Sequence, residues 1–582
     1  MSRLPHWLLL FTTALVLTGC SSSSPTPDDA GPAPVDAGTS DAGDDSDAGT
    51  GISDAGDTPD AGTSTSDAGP DSDAGTSDAG TDLPPWDGTA ETLPERTDHV
   101  DRGPYSDCAF SLPVGAPVAA CNDASLFDRA SCPSDAFDSV DTVGFYAMDA
   151  RPSTGYVNNF SAFDLRLPLD GSAGTLSGRA LTHRAVGAGE FVAATTYAAT
   201  RFSPARDFVF AGCTRPTPDR INGCYVQCSQ GKVGIVGTFT ATRAGLPARG
   251  ESESSGLTLV SEATAPLGMA VDVYVAKDHA YVVAVGNPTA HGGMAVFDVT
   301  DRAHPMLKKV IQLPNDTGWN GVWAKGDALY IASASSGVIV YDISNPADPQ
   351  YVRALPGEPT NVHTVHVQGD RLYAMAPTPT DAVLLFDVSS PLAPVLLNKV
   401  SLQAGGSGPH DAFAYQDRLY VSYTEMGYVA FDVKDAEHVQ ELGSYAFENP
   451  YAHASAVGTF AGRTIAFEGG EFEGSHLRVL DVTDPANMRL IGEYGLRPEF
   501  SIHNMILKGT KLYIAYYQEG VRVLDVSVPP KPREVAYFNT YRETEPGRIG
   551  GLLEGAIGIR VPDDGHVYVV DTHRGLLILR EP

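Results

Sequence analysis

From about residue 256 onward the chain alternates short apolar runs with polar turns, and the runs recur. One is Gly337-Val338-Ile339-Val340-Tyr341-Asp342-Ile343, an apolar run closed by an acid and followed by a proline turn at Asn345-Pro346. The same shape ends at Asp298, Asp387, Asp432, Asp481 and Asp525, so the six aspartates lie 44, 45, 45, 49 and 44 residues apart. A short run that is apolar on both faces reads as a strand covered on both sides. A period of about 40–50 residues carrying several such strands predicts a β-propeller with one four-stranded blade per repeat.

The order within a repeat is legible in the third unit. An inner strand at His363-Thr364-Val365-His366-Val367 meets a tight turn, Gln368-Gly369-Asp370, and a second strand at Arg371-Leu372-Tyr373-Ala374-Met375. The third strand ends at Asp387, and Pro391 and Pro394 introduce a fourth, Val395 to Val400. Prolines are confined to turns and strand starts, where a missing N–H removes no ladder bond. A seventh unit has Arg580 where the aspartate belongs and lacks a fourth strand. Gly256 to Ser261 has the alternation to supply it, which would close the ring and leave no free sheet edge. The aspartates are expected to accept backbone N–H bonds in the turn after each third strand.

The pattern apolar-Asp-(Val/Ile)-(Ser/Thr)-x-Pro is complete after Asp342, Asp387, Asp481 and Asp525 and incomplete after Asp298 and Asp432. It resembles the bacterial LVIVD repeat family over about residues 256–580. The resemblance implies a β-propeller on an exported or surface protein and implies no single activity.

Residues 92–250 do not follow the repeat. Alternating runs such as Phe191 to Tyr197 and Val233 to Phe239 read as strands. Cys108, Cys121, Cys132, Cys213, Cys224 and Cys228 are an even set of six. In an exported chain they are expected to form up to three disulfides, with about 15 pairings open to six cysteines. Cys224 and Cys228 invite a zinc or redox reading, but no second close pair completes a tetrad.

Before this module the chain changes character. Arg3 and His6 precede an apolar stretch from Trp7 to Leu17, too short to span a bilayer and laid out as a secretory signal over residues 1–19. Leu17-Thr18-Gly19-Cys20 resembles the lipobox of bacterial lipoproteins, which implies acylation of Cys20. The segment 20–91 is mostly Ser, Asp, Ala, Gly, Thr and Pro, with Asp-Ala-Gly recurring and no basic residue. It is expected to be a disordered tether. The fold expected is therefore all-β: a seven-bladed β-propeller at 256–582, preceded by a small disulfide-bridged β-rich module and a disordered tether.

The formal net charge of −33 argues against nucleic acid as a partner. Candidate chemistry lies in the inner strands. His363, His410 and His503 each stand ten residues before a second-strand tyrosine, Tyr373, Tyr420 and Tyr513. His453 holds the matching place in the fifth unit and Asn320 in the second. Inner strands line the channel of a propeller, so these five residues are expected to gather at its mouth as candidate ligand-binding residues. Gathered imidazoles can bind a transition metal, with Asp411, Glu468, Glu471 and Glu473 as nearby acids. The plainer reading is repeat inheritance, each histidine bonding the backbone of a neighbouring blade. Tyr516 to Glu519 and Asp571 to Arg574 are placed on one rim, where they would contact a partner. There is no Gly-x-Ser-x-Gly elbow, phosphate loop or dinucleotide fingerprint.

The function expected is that of an exported lipoprotein in the bacterial cell envelope. It would be anchored to a membrane through its N-terminal lipid, with Ser21 directing it to the outer membrane. Its propeller would bind a protein, peptide or glycan and would need no cofactor. The alternative is an exported metal-assisted hydrolase with a histidine-lined channel mouth. Replacing Cys20 by Ala is expected to release the protein from membranes. Full retention of that variant in the membrane fraction after a high-salt wash would refute the lipid anchor.

Overall fold

The computed structural model describes residues 84–95, 103–140, 143–153, 161–168, 171–187, 189–199, 204–244, 254–287, 289–377, 379–402, 407–447, 451–471, 475–497, 500–542, 545, 548 and 551–581. Cys20, the signal-like stretch, nearly all of the expected tether and Glu473 lie outside the described residues.

Seven antiparallel sheets form the propeller, six of four strands and one, blade 6, with a short fifth strand added. Blade 1 spans 269–311, blade 2 319–355, blade 3 364–400, blade 4 411–445, blade 5 452–494 and blade 6 505–538. Blade 7 takes three strands from 556–580 and its fourth from Thr258–Ala263. That strand runs antiparallel to the last one, with Leu259 opposite Leu579 and Ala263 opposite Leu576. The ring is thus closed by the strand that the alternation at 256–261 predicts, displaced by two residues. Ser261 Oγ also reaches Arg302 O of blade 1 at 2.6 Å, and Leu257 is fully buried between blades 6 and 7. Ser254–Ser255 add a short fifth strand outside blade 6, which the sequence pattern did not indicate.

The repeat motif is a latch between the strand and the turn. In each of the six repeats the aspartate accepts the backbone N–H two residues on, at 3.0 Å for Asp298, 2.7 Å for Asp342 and Asp387, 2.9 Å for Asp432 and Asp525, and 3.1 Å for Asp481. These bonds to the ionised form hold the Asp342 and Asp387 carboxyls below the usual range. The following Val or Ile donates its N–H to the lower hairpin turn, Ile343 to Asp327 O at 2.8 Å and Val388 to Asp370 O at 2.8 Å. Its side chain is buried in every case: Val299, Ile343, Val388, Val433, Val482 and Val526. The acid ends the strand, and the branched apolar residue after it plugs the blade interface. Second-strand tyrosines add links between blades, with Tyr281 Oη donating to Pro346 O and Tyr330 Oη to Pro391 O, both in the proline turn of the next blade.

The cysteine-bearing module is a closed eight-stranded barrel over 144–243, in which sequential strands pair and Lys232–Arg243 returns to Gly144–Pro152. Alternation sorts its side chains. Phe191, Ala193, Phe208, Phe210, Tyr225 and Phe239 fill the interior, with Phe210 edge-on to Phe239 at 5.3 Å. Val192, Ala194, Val209, Ala211 and Val226 face outward, under the segment that precedes the barrel. That segment is fastened there by three disulfides, Cys108–Cys224, Cys121–Cys228 and Cys132–Cys213. A small barrel covered by irregular chain profits from such links, because each closes a loop of 81 to 116 residues.

Contacts among the described residues join this barrel to the propeller. Phe145, Ala147 and Ala244 enter one apolar cluster with Phe500, Ile502 and Tyr516. Asp164 reaches the connection between blades 6 and 7, where the Leu552 N–H bonds it. The end of the segment expected to be disordered spacer is extended and packed. Trp86 and Leu93 are part-buried on the propeller, Leu93 N–H bonds Leu490 O at 2.9 Å, and Glu95 meets the buried Arg478 at 2.8 Å. This strap covers the outer edge of blade 5, which a compositional boundary at 91 could not show because two apolar anchors suffice to hold it.

Two outcomes are expected. Replacing residues 257–263 by a Gly/Ser stretch of equal length should lower the melting temperature of the whole ring and broaden its transition, and Leu257→Ala alone should cost about 2–3 kcal/mol. A variant that melted with unchanged midpoint and cooperativity would show that the clasp does not hold the ring. The second concerns Asp164, whose carboxyl burial pushes up to about 7, with Glu554 adding repulsion. A folded-state value above the unfolded one means that stability falls as pH rises between about 4 and 7 and stays low above. Asp164→Asn should therefore gain stability over the wild type as pH rises through that window, read by denaturant titration at pH 4.5 and pH 8.

Candidate functional site

Each of blades 2 to 6 turns one residue toward the upper mouth of the channel. In blades 2 and 5 this residue is a bulge in the inner strand, Asn320 between Trp319 and Gly321, and His453 between Ala452 and Ala454. In blades 3, 4 and 6 it precedes the strand, and its N–H bonds the second strand: His363 to Met375 O, His410 to Ser422 O and His503 to Ala515 O. A bulge or strand start leaves the side chain outside the strict in-and-out alternation, which re-aims it into the channel.

The five predicted residues come together in blade order. Asn320 Nδ2 lies 3.1 Å from His363 Nε2. The rings of His363 and His410 are 4.1 Å apart, those of His410 and His453 4.2 Å, and those of His453 and His503 4.3 Å. Part of this arc is the backbone bonding that repeat inheritance predicts. His453 Nδ1 contacts His503 O at 3.2 Å, and His503 Nδ1 contacts Ile557 O at 2.8 Å. Donation from Nδ1 puts the Nε2 lone pair of each ring on the channel side. Burial holds all four imidazoles below the ordinary histidine range, His363 at about 4, His503 at about 3, and His410 and His453 well below. They are neutral at neutral pH and present nitrogen lone pairs.

Of the acids named from sequence, Glu471 joins the arc. It is buried at the upper end of blade 5, and its Oε2 lies 3.6 Å from His453 Nε2. Tyr517 Oη donates to its other oxygen, and burial pushes the carboxyl up to about 7. Glu468 does not join: it lies within the second strand of blade 5 and faces the buried Arg478 at 3.6 Å. Asp411 opens the inner strand of blade 4 and lines the channel, its carboxyl raised by burial to about 7.

Beneath the histidines is a layer that sequence reasoning missed. Tyr274, Trp323, His366, Phe413, Ile506 and Arg560 are the cross-strand partners of the second-strand tyrosines in six blades. Arg560 stacks on Trp323 at 4.4 Å, and Trp323 meets His366 edge-on at 4.7 Å. Asp272 and Asp411, both nine residues before their tyrosines, face this guanidinium. The signal was available for five of the six, because Tyr274, Trp323, His366, Phe413 and Ile506 each stand seven residues before their tyrosine, whereas Arg560 stands eight before Tyr568. The space left between the layers is a cavity of about 70 Å³. It has room for a few waters or an ion.

The loops expected on a partner-facing rim are mostly interior. Tyr516, Tyr517, Gln518, Glu519, Asp571 and Arg574 are all buried. Asp571 pairs with the buried Arg548 at 3.1 Å, and Glu519 with Arg497 at 2.5 Å. Polar sequence placed them on the surface, but the barrel and the long connection from blade 6 to blade 7 cover that side.

The family model described as LVIVD repeat matches residues 267–312, 320–354 and 503–540. No curated protein matches the chain. Among solved structures, the computationally designed Ika8 protein aligns with 11% identity over 56% of this chain and 99% of its own, at a TM-score of 0.40. U3-55K aligns with 8% identity over 56% of this chain and 98% of its own, at a TM-score of 0.41. The chain carries LVIVD repeats, built into a seven-bladed β-propeller behind a disulfide-bonded β-barrel.

Proposed function

We propose that this chain is an exported, lipid-anchored protein of the bacterial envelope that binds a protein, peptide or glycan on the upper face of its propeller. The observation that carries this reading is the division of that face. The barrel is seated over blades 5 and 6 and the connection to blade 7 through Phe145, Ala147 and Asp164. Beside it the upper loops of blades 2 to 4 expose Gly357, Glu358 and Pro359, and Glu425 and Met426. A channel cavity of about 70 Å³ is far below the roughly 300 Å³ at which ligand pockets begin. An extended ligand would therefore lie in the angle between barrel and loops rather than in the channel. A closed ring and a disulfide-bonded barrel keep that surface preorganised, so little ordering cost falls on binding.

Photo-crosslinking in the producing cell tests this. A photoreactive residue at Glu358 or Met426 should yield a discrete adduct, and one at the lower-face Asp348 should not. Adducts from the lower position alone would place the partner elsewhere and overturn the reading.

A further inference from the structure

The histidine arc is chemically uneven. His410, His453 and Glu471 are all buried, and one ligand atom from each lies within 4.8 Å of the other two. Among the described residues His453 Nε2 has no hydrogen-bond partner, although its ring is almost fully buried. A carboxylate oxygen of Glu471 lies 3.6 Å from it, too long for a hydrogen bond. An unsatisfied acceptor facing another acceptor in a buried site calls for something between them. Two ligand bonds of about 2.1 Å at a tetrahedral angle span about 3.4 Å, close to the gap observed.

We propose that His410, His453 and Glu471 bind one first-row divalent cation of the zinc class at the mouth of the propeller channel. The donor set of two imidazoles and one carboxylate suits such an ion and not calcium or magnesium, which take all-oxygen shells. The supporting contacts are those that metal ligands require. The His503 carbonyl fixes the His453 tautomer with Nε2 outward, and the Tyr517 hydroxyl orients Glu471. The adjoining channel cavity, whose wall includes His410 and His453, leaves room for water as a fourth ligand. The bulge that displaces His453 from the strand alternation is the local feature that makes the site. The ion would bridge blade 4 to blade 5. This proposal is independent of the partner surface proposed above.

The test uses untagged full-length protein stripped with EDTA and titrated with Co²⁺, then with Zn²⁺. One equivalent of Co²⁺ per chain should bind with the visible d–d bands of a four-coordinate site, and Zn²⁺ should displace it. Glu471→Gln and His453→Ala should each weaken binding by roughly tenfold or more, while His363→Ala, from the same arc but outside the triad, should not. Zn²⁺ should raise the melting temperature of the wild type and leave that of His453→Ala unchanged. Circular dichroism checks that the variants fold, and Glu471→Gln preserves shape if His453→Ala does not. Folded wild-type protein that takes up neither ion, or binding that survives both triad substitutions, would overturn the proposal.

Discussion

The structure depends on the packing of one blade against the next, and that packing depends on a dry interface. Third strands such as Val338 to Tyr341 have no exposed face, so every blade is stable only between two others. A ring of such blades has one weak place, the seam. Here the seam is sewn by a strand from before the first blade, with Leu257 and Ser261 reaching into neighbours on either side. Closure pairs the third strand of blade 7 and gives that blade its fourth strand.

The Asp-Val pair at the end of each third strand serves the same interface. The carboxylate accepts a turn N–H and stops the strand, and the next residue sinks into the contact between blades. In the seventh blade the pair is absent, and Arg580 is exposed beside the clasp strand that substitutes for it. The loss of the motif and the presence of the clasp are two sides of one arrangement, since a blade completed from outside has no turn to latch.

Packing also governs the polar groups. A channel lined by inner strands brings one position of successive repeats into an arc, and burial there leaves the imidazoles neutral and the Glu471 carboxyl raised. Repetition therefore builds a cluster of lone-pair donors as a by-product of symmetry. Its use is decided by the departures from symmetry: the second-strand end of blade 5 that supplies Glu471, the Arg560 of blade 7, and the barrel seated over one side.

The sequence by itself determined the parts governed by local periodicity. The spacing of the six aspartates and the altered unit ending at Arg580 implied the blade count, the alternation at 256–261 implied the clasp, and the position ten residues before the second-strand tyrosines located the histidine arc. Such features repeat, and repetition makes a weak local signal readable. Only the tertiary structure decided the rest. Six cysteines admit many pairings, and only the packing of the preceding segment on the outside of the barrel brings Cys108 to Cys224 and Cys132 to Cys213. Polar loops such as Tyr516 to Glu519 look exposed until a second domain covers them. Trp86 looks like the end of a spacer until the propeller receives it. In each case the deciding contact is between segments far apart in the chain, whose proximity is set by the fold and not by local pattern.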